Sequence, residues 1–230
     1  RLIKENFEVI GLDNLNDYYD VSLNKSRNQI LKKLSKERQN NYSFFKADIA
    51  NLKLVENIFK SQKPKIIINL AAQAGVRYSI YKPSVYLDTN ILGFFNILDI
   101  SKKYKIKHFL FSSSSSVYGD QKKYPIKESV ETSKPLSFYA ATKKSNEVLS
   151  HSYSKIYKIP VSCLRLFTVY GPLGRPDMAP FKFTKAAVEN KNIQVYNRGI
   201  HERDFTYVTD VAKAIYKLSN KPPNKSFFQI

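Results

Sequence analysis

Tyr139 and Lys143 could carry chemistry, because they lie four residues apart in the segment 137–158. Apolar residues recur there at helical spacing and Pro160 ends the pattern, which predicts an amphipathic helix. Residues four apart on a helix share a face. Lowering the pKa of a phenol from ~10 to ~7 requires about 4 kcal/mol of preferential stabilisation of the phenolate. A close, partly desolvated ammonium can supply it, so the pair could act as a general base.

The same Tyr-x-x-x-Lys spacing begins at three other tyrosines, Tyr42, Tyr78 and Tyr118. The first lies in a strand-like run, the second runs into a proline, and the third is broken by Gly119. A surface tyrosine beside a solvated lysine is the alternative interpretation of any such pair. The context of Tyr139 therefore has to decide.

That context is the segment 107–119, KHFLFSSSSSVYG, in which an apolar strand runs into serines and then a glycine. In a parallel α/β sheet, ligands bind beyond the carboxyl ends of the strands, so these hydroxyls would face a ligand. A serine run can also be a flexible linker. This one is short and directly continues a strand that reads as buried, which favours the binding interpretation.

A strand followed by Ser-Ser-Ser-x-x-Val-Tyr-Gly and then Tyr-x-x-x-Lys resembles the extended short-chain dehydrogenase/reductase superfamily, in its NAD-dependent nucleotide-sugar epimerase and dehydratase branch. The resemblance covers nearly the whole chain. Within that branch the chain is most similar to the UDP-glucuronate 4-epimerase family, judged by 13–20 (DNLNDYYD), 71–79 (AAQAGVRYS) and 174–178 (GRPDM).

The resemblance implies NAD-dependent epimerisation at C4 of a UDP-sugar through a 4-keto intermediate, with UDP-glucuronate becoming UDP-galacturonate. It makes Tyr139 the base, with Lys143 stabilising the phenolate and Ser114 bonded to the same sugar oxygen. The related dehydratases and decarboxylases carry acids directly after that serine. This chain has Ser115 and Ser116 instead, which disfavours those two reactions.

The resemblance also implies a set of NAD contacts beyond Tyr139 and Lys143. These are Asp13, Asn14, Asp48, Ile49, Leu70, Ala71, Ala72 and Thr89. An acid ending the second strand of a dinucleotide fold bonds the adenosine ribose, which would be Asp13. Asp13 could instead be a turn or cap residue, and Asp48 could cap the helix that follows it.

Substrate contacts are expected from hydroxyls and arginines. Ser115, Ser116 and Thr168 could hold a sugar carboxylate by neutral hydrogen bonds. Arginine binds phosphate and carboxylate through two parallel hydrogen bonds, and the candidates in the motifs are Arg77, Arg175 and Arg203. Each of them, taken alone, could equally be a surface residue.

Strands alternating with helices predict an α/β fold with a doubly wound, mostly parallel Rossmann-type sheet. We expect an NAD-binding domain at 1–167 and part of a smaller substrate-binding lobe at 168–230. The pattern also predicts a long helix at 84–104, a short strand at 193–196 and a helix capped by Asp210. The family's first strand and Gly-x-x-Gly-x-x-Gly turn do not occur in these residues, so we expect a fragment that alone binds NAD weakly or not at all.

Composition limits the remaining possibilities. One cysteine and three histidines argue against a metal centre. No apolar run is long enough to span a bilayer. A single cysteine also excludes an intramolecular disulfide, so we expect a cytoplasmic protein. The formal charge of +19 raises nucleic acid as a partner, but the lysines are spread along the chain, and we expect none. The resemblance implies a homodimer. The alternatives are a catalytically silent remnant of such an epimerase, a nucleotide-sugar dehydratase or decarboxylase, and a basic nucleic-acid-binding protein.

Overall fold

The computed structural model describes residues 1–39, 41–195, 197–200, 202–224 and 227–229. The described strands, in chain order, are β1 Val9–Asp13, β2 Tyr42–Lys46, β3 Ile66–Asn69, β4 His108–Ser112, β5 Val161–Leu164, β6 Thr168–Tyr170, β7 Phe205–Tyr207 and β8 Phe227–Gln229. The α-helices are α1 Val21–Glu37, α2 Leu52–Gln62, α3 Tyr78–Tyr81, α4 Pro83–Tyr86, α5 Phe94–Lys103, α6 Phe138–Tyr157, α7 Ala179–Val188 and α8 Val208–Ser219. Short 3-10 turns lie at Ile3–Glu5, Ser115–Tyr118 and Asn197–Gly199. None of the helices in these ranges is long and apolar enough to cross a bilayer.

The chain divides into two compact units that are discontinuous in sequence. The first unit consists of Arg1–Val9, Leu15–Tyr42 and Phe167–Ala214. The second consists of Ile10–Asn14, Ser43–Leu166 and Ile215–Ile230. The domain division predicted from sequence, 1–167 and 168–230, stays a prediction.

A four-stranded parallel sheet in the order β3-β4-β5-β8 organises the second unit. Ile67 is opposite Phe109 in the register of β3 with β4, and Phe109 is opposite Val161 in the register of β4 with β5. β4 and β5 have most of their residues buried, as strands of a sheet covered on both faces do. Parallel strands joined by helices confirm the predicted α/β class.

β1 and β2 form a separate two-stranded sheet. The Val9 N–H donates to the Asn41 carbonyl at one end, and the Ala47 N–H donates to the Asp13 carbonyl at the other, at 3.0 and 3.1 Å. The partners advance in the same direction along both strands, so this pair is also parallel. β6 and β7 form a second short parallel pair, within the first unit.

Helices α2, α5 and α6 contribute to the hydrophobic core of the second unit. Val55, Leu98, Phe109 and Val161 are fully buried there. The rings of Phe94 and Phe111 meet edge to face at 5.0 Å, an arrangement that aromatic quadrupoles favour. This core fixes the strand ends from which the candidate site residues project.

The single helix predicted at 84–104 is wrong in detail. A π-helical segment, Leu87–Gly93, separates α4 from α5. Asn90 on this segment is buried. Its side-chain amide forms hydrogen bonds with the backbone of Gln73 and with the Thr142 hydroxyl. A Cβ on Gly93 would lie 2.6 Å from Ile49 Cγ1, so glycine permits the close approach. These contacts join residues far apart in the chain, so the sequence pattern alone does not reveal the π-helical segment.

Two further expectations are corrected in the first unit. Residues 193–195 of the predicted strand are irregular and belong to none of the three sheets, and Tyr196 lies outside the described residues. The helix after β7 begins at Val208, so Asp210 lies in its first turn instead of capping it. Its carboxylate accepts from Lys213 Nζ at 3.1 Å, and an acid in a first turn still suits the helix dipole.

Candidate active site

The candidate site in the second unit lies at the carboxyl ends of three neighbouring parallel strands. Leu70 follows β3, Ser113 follows β4 and Arg165 follows β5. Because the strands are parallel and adjacent, these ends lie along one edge of the sheet. This is the edge at which open α/β sheets bind ligands.

Helix α6 carries Tyr139 and Lys143, as predicted. Its N-cap is Ser137, whose hydroxyl accepts from the Ala140 N–H at 3.1 Å. Ser137 satisfies one of the amides that a helix start leaves without an intrahelical partner. Tyr139 is therefore in the first turn, and Lys143 follows one turn later on the same face.

Tyr139 is half-buried and held from two sides. Its backbone N–H donates to the Ser79 hydroxyl at 3.2 Å. Its ring meets the buried Tyr86 ring edge to face, at 6.2 Å between centroids. The Tyr86 hydroxyl donates in turn to the carbonyls of Ala74 and Gly75. The residues after β3 thus help to fix the phenol, a support that the sequence did not reveal.

Lys143 has only 3% of its surface exposed, and its Nζ donates to the Ser112 carbonyl at 2.8 Å. Burial lowers the pKa of Lys143 to about 8, because an ammonium out of water loses hydration. The structure therefore places a cation on the helix that carries Tyr139 and joins it to the end of β4. A cation on this helix is the kind of group that can stabilise a phenolate.

Ser114 is buried at the N-cap of the 3-10 turn Ser115–Tyr118. Its hydroxyl accepts from the Ser116 N–H and donates to the Ser116 hydroxyl, both at 3.2 Å. Ser115 and Ser116 are half-buried, and the turn packs against α6. The structure thus brings the predicted serines next to the helix of Tyr139 and Lys143.

The predicted adenosine-side residues follow β1 and β2. Asn14 Nδ2 donates to Asp48 Oδ2 at 2.9 Å, and Asp48 Oδ1 accepts from the Ala50 N–H. Asp13 is exposed at the end of β1, where its side chain can be reached from solvent. The cap of α2 is Asn51, whose side chain accepts from the Leu54 N–H, so Asp48 does not cap that helix.

Other predicted cofactor residues differ in how accessible they are. Ile49 is a core residue at 4% exposure, with its side chain under Gly93. Leu70 is 52% exposed, and the small side chains of Ala71 and Ala72 leave the backbone after β3 accessible. Thr89 lies half-buried on the π-helical segment. An exposed acid, an accessible backbone and a buried ammonium form a set that fits a dinucleotide.

Arg77 is exposed and is the N-cap residue that precedes the four-residue helix α3. The remaining predicted substrate residues belong to the first unit. Thr168 begins β6, opposite Phe205. Arg203 is exposed, with Nη1 donating to the Glu202 carbonyl at 3.1 Å.

Arg175 makes two hydrogen bonds to Asp177, at 3.0 Å from Nε and 2.5 Å from Nη2. The Tyr18 hydroxyl donates to the same carboxylate at 3.2 Å. Burial and the Asp177 charge raise the pKa of Tyr18. Residues 15–20 of one resemblance motif and the motif 174–178 are therefore joined within the first unit.

Sequence reasoning missed the buried ion pair of Glu147 with Arg165, whose side chains are 4% and 3% exposed. Its signals are a charged residue inside the apolar run 161–167 and a glutamate one turn after Lys143. Buried charges are paired, so an arginine in such a run predicts a partner, although not which one.

A model of the NAD dependent epimerase/dehydratase family matches residues 1–229. Protein CapI of Staphylococcus aureus is 51% identical over 229 residues, which are 99% of this chain and 67% of CapI. A UDP-glucuronate 4-epimerase of Thermodesulfobacterium geofontis is 44% identical over 92% of this chain and 64% of its own length. The chain thus spans about two thirds of these curated relatives.

A solved structure of UDP-glucuronic acid 4-epimerase from Bacillus cereus, in complex with UDP-glucuronic acid and NAD, has the same fold. The TM-score is 0.88 at 32% sequence identity, covering 100% of this chain and 72% of that one. This likeness confirms the predicted Rossmann-type class.

Proposed function

This chain belongs to the NAD-dependent epimerase/dehydratase family, and from that premise we propose that it inverts C4 of UDP-glucuronate to give UDP-galacturonate. The observation that carries the proposal is the buried Lys143 ammonium, bonded to the end of β4 beside Ser114 and carried on the helix of Tyr139. NAD, when bound, supplies a reversible acceptor for the C4 hydride. The chain's own residues supply binding, orientation and proton transfer.

Tyr139 is the general base for the C4 hydroxyl in this proposal. Its phenol must lose a proton near neutral pH, which requires a stabilised phenolate. Lys143 meets that need, because burial strengthens the field of an ammonium that is still mostly protonated at pH 7. Ser114 donates to or accepts from the same sugar oxygen, exchanging its present bond to Ser116 for one to substrate.

NAD would be held along the carboxyl ends of the strands. Asp13 would bind the adenosine ribose, with Asn14 and Asp48 already bonded to each other beside it. Ile49, directly after Asp48, is proposed to contact NAD in the same region; its carbonyl already accepts from Asn96 Nδ2 at 3.0 Å. The accessible segment 70–72 and Thr89 would lie along the dinucleotide, and Lys143 has further N–H donors for the nicotinamide ribose.

The glucuronate assignment rests on neutral donors where related enzymes carry acids. Ser115 and Ser116 cannot protonate a leaving hydroxyl as a carboxylic acid does, which disfavours dehydration and decarboxylation. Ser115 and Ser116 are proposed to hold a sugar carboxylate by hydrogen bonds, and Thr168 is proposed as a further substrate contact. Arg77, Arg175 and Arg203 are the proposed anion contacts, and Arg175 would exchange Asp177 for the ligand.

The substrate test is a side-by-side assay of UDP-glucuronate and UDP-glucose with the natural polypeptide that contains this chain. A site built for a carboxylate leaves buried donors unpaired when a hydroxymethyl group replaces it, which costs about 1–3 kcal/mol. We expect roughly ten- to a hundredfold preference for UDP-glucuronate. Equal or better turnover of UDP-glucose would refute the substrate assignment. A dominant pentose product would refute the interpretation that Ser116, in place of an acid, disfavours decarboxylation.

The control for the chemistry is Tyr139→Phe. The phenol hydroxyl takes part in proton transfer, whereas the ring packs against Tyr86, so NAD binding should be largely unchanged. General-base catalysis contributes ~10²–10⁴-fold, so a variant with more than about a tenth of the wild-type rate would exclude Tyr139 as the base.

We also propose that the protein is a homodimer that pairs through α5 and α6. Phe95 on α5 is 39% exposed, and Val148 and Ile156, two turns apart on α6, are 57% and 64% exposed. Such apolar side chains on adjacent helices suit a helical interface. Light scattering on wild type and Val148→Glu tests this, and a wild-type monomer at micromolar concentration would refute it.

A further inference from the structure

A buried network around Glu147 joins the segments that carry the proposed catalytic residues. Arg165 donates to Glu147 from Nε at 2.9 Å and from Nη2 at 2.8 Å, a bidentate pair. The Ser113 hydroxyl donates to the same carboxylate at 2.6 Å. Lys144 Nζ lies 3.3 Å from its second oxygen. Glu147 is thus shared by the helix, the end of β4 and the end of β5.

Arg165 extends the network to the segment that leads into α6. Its Nη1 donates to the Glu128 carbonyl at 3.1 Å, and Nη2 lies 3.4 Å from the Thr132 hydroxyl. Its guanidinium carbon lies 4.8 Å from the centre of the Tyr118 ring, a cation–π distance. One guanidinium therefore holds both the turn after the serines and the connection to α6.

Stability alone does not explain such a pair. The free energy needed to remove two ions from water is about as large as the free energy gained from their attraction. A protein with a well-packed apolar pair in the same place is often as stable. What the pair does provide is directional contact, because a guanidinium fork fits a carboxylate in one plane. Burial alone would raise the pKa of Glu147, but hydrogen bonds from Arg165 and Ser113 outweigh it and lower that pKa, so the carboxylate stays charged.

The network acts on three consecutive serines. The Ser112 carbonyl accepts from Lys143, and the Ser113 hydroxyl donates to Glu147, which is one turn further along α6. Ser114, the next residue, presents the hydroxyl proposed to meet the sugar. Two successive residues before Ser114 are therefore bonded to α6, and the second of these bonds depends on Glu147.

We infer that Glu147 and Arg165 are positioning residues of the active site, which set the placement of Ser114 relative to Lys143 and Tyr139 by fixing Ser113 against α6. The inference rests on the proposed epimerase function. Neither residue touches substrate. Each acts through the strand end that it holds, and misplacing a reacting group by about 1 Å can cost on the order of a hundredfold in rate.

The test compares Glu147→Gln and Ser113→Ala with wild type in the natural polypeptide that contains this chain. Glu147→Gln keeps the side-chain size but leaves Arg165 as an uncompensated cation. We expect kcat with UDP-glucuronate to fall about tenfold to a hundredfold, with KM within about twofold. Ser113→Ala, which changes no charge and is the safer variant to fold, should lower kcat by a smaller factor in the same way.

UDP-glucuronate deuterated at C4 separates positioning from loss of folded enzyme. A misaligned site slows the C4–H step itself, so the isotope effect on kcat should rise in Glu147→Gln. A fraction of inactive protein lowers kcat without changing the isotope effect. A lower kcat with an unchanged isotope effect in both variants would therefore overturn the inference.

Ser154→Ala is the matched control, because Ser154 is buried on the same helix and donates to the Ile159 carbonyl at 2.8 Å, away from the serines. It should lower the melting temperature and leave kcat unchanged. If Ser154→Ala and Glu147→Gln lose kcat equally at equal loss of stability, positioning is excluded.

A structural comparison distinguishes failure of this inference from failure of the proposed function. Wild type that does not turn over UDP-glucuronate refutes the function, and crystal structures of wild type and Glu147→Gln then decide the inference. In the variant the Ser114 hydroxyl should move by about 1 Å relative to Lys143 Nζ, whereas the 2.8 Å bond from Lys143 Nζ to the Ser112 carbonyl should be kept. An unchanged position of the Ser114 hydroxyl would overturn the positioning role.

Discussion

Lys143 combines a proposed catalytic role with a stability cost. Its pKa of about 8, against an ordinary value of 10.5, means that folding removes a protonated amine from water at pH 7. A shift of that size corresponds to about 3 kcal/mol. The Ser112 carbonyl recovers part of the lost hydration through one hydrogen bond.

Lys143→Met should therefore abolish epimerisation without lowering stability. The variant loses the buried charge but leaves the Ser112 carbonyl without its donor, at about 1–3 kcal/mol. We expect an unfolding free energy equal to that of wild type or up to about 2 kcal/mol higher, measured by urea denaturation at pH 7. Lys155→Met, an exposed lysine on the same helix, should change neither property.

The stability difference between wild type and Lys143→Met should also depend on pH. The folded pKa of Lys143 is depressed, so the unfolded chain binds more protons between pH 8 and 10.5. The free-energy cost of burying the Lys143 ammonium is fully present below pH 8 and decreases as the pH rises from 8 to 10.5. Wild type should therefore gain stability relative to Lys143→Met between these pH values. A Met variant that is less stable than wild type by the same amount at every pH would contradict this account.

Single residues could be predicted only where their surroundings are local in sequence. Tyr139 and Lys143 were placed on one helix face because the segment is periodic and ends at a proline. The bond from Asn14 to Asp48 and the pair of Glu147 with Arg165 join residues 34 and 18 positions apart. Spacing does not encode such partners, and the catalytic and binding roles assigned to residues stay predictions.

At the scale of elements, α6 was predicted at 137–158 and runs Phe138–Tyr157, because its cap and stop are local signals. The helix at 84–104 was predicted as one piece, since its π-helical interruption depends on what Asn90 and Gly93 meet in the folded chain. Cap chemistry is readable from sequence, whereas packing between distant elements is not.

The buried face of α6 offers a matched pair of serines, one turn apart. Ser150 and Ser154 are both fully buried. The Ser154 hydroxyl donates to the Ile159 carbonyl, whereas the Ser150 hydroxyl has no hydrogen-bond partner among the described residues. A buried hydroxyl without a hydrogen-bond partner lowers the free energy of unfolding. A buried hydroxyl that donates to a carbonyl offsets this loss.

Ser154→Ala should lower the unfolding free energy by about 1–3 kcal/mol, because the Ile159 carbonyl loses its donor. Ser150→Ala should leave it unchanged or raise it by up to about 1 kcal/mol, because a buried hydroxyl is removed. Urea titrations of both variants at one pH give the comparison. Equal destabilisation by the two substitutions would show that Ser150 has a partner in solution, such as a bound water.

For the whole molecule, the α/β class followed from the alternation of strand and helix patterns, which short-range periodicity encodes. The pairing of β6 with β7 and the discontinuous first unit did not follow, because they depend on contacts between residues far apart in the chain. The irregular path at 193–195 shows the same limit, because the alternation of a short segment does not determine whether another strand pairs with it.

His108 links the global stability of the protein to pH. It begins β4 with its side chain fully buried, and a ring nitrogen lies 2.9 Å from the Ser162 hydroxyl on β5. Burial lowers the pKa of His108 from 6.5 to about 4, because the imidazolium would lose its hydration. The unfolded chain therefore takes up this proton at a higher pH than the folded chain does.

The contribution of His108 to stability should be fully present above pH 6.5 and lost as pH falls towards 4. Between pH 7 and 4.5 the loss amounts to roughly 2–3 kcal/mol, from the shift and ~1.4 kcal/mol per unit. His108→Asn should be less stable than wild type at pH 7, and the difference should shrink by that amount at pH 4.5, because the variant has no proton to take up. Urea unfolding at both pH values measures this, with the exposed His151→Asn as the control that keeps the wild-type dependence. A gap between wild type and His108→Asn that is the same at pH 7 and pH 4.5 would mean that His108 is protonated equally in the folded and unfolded chains.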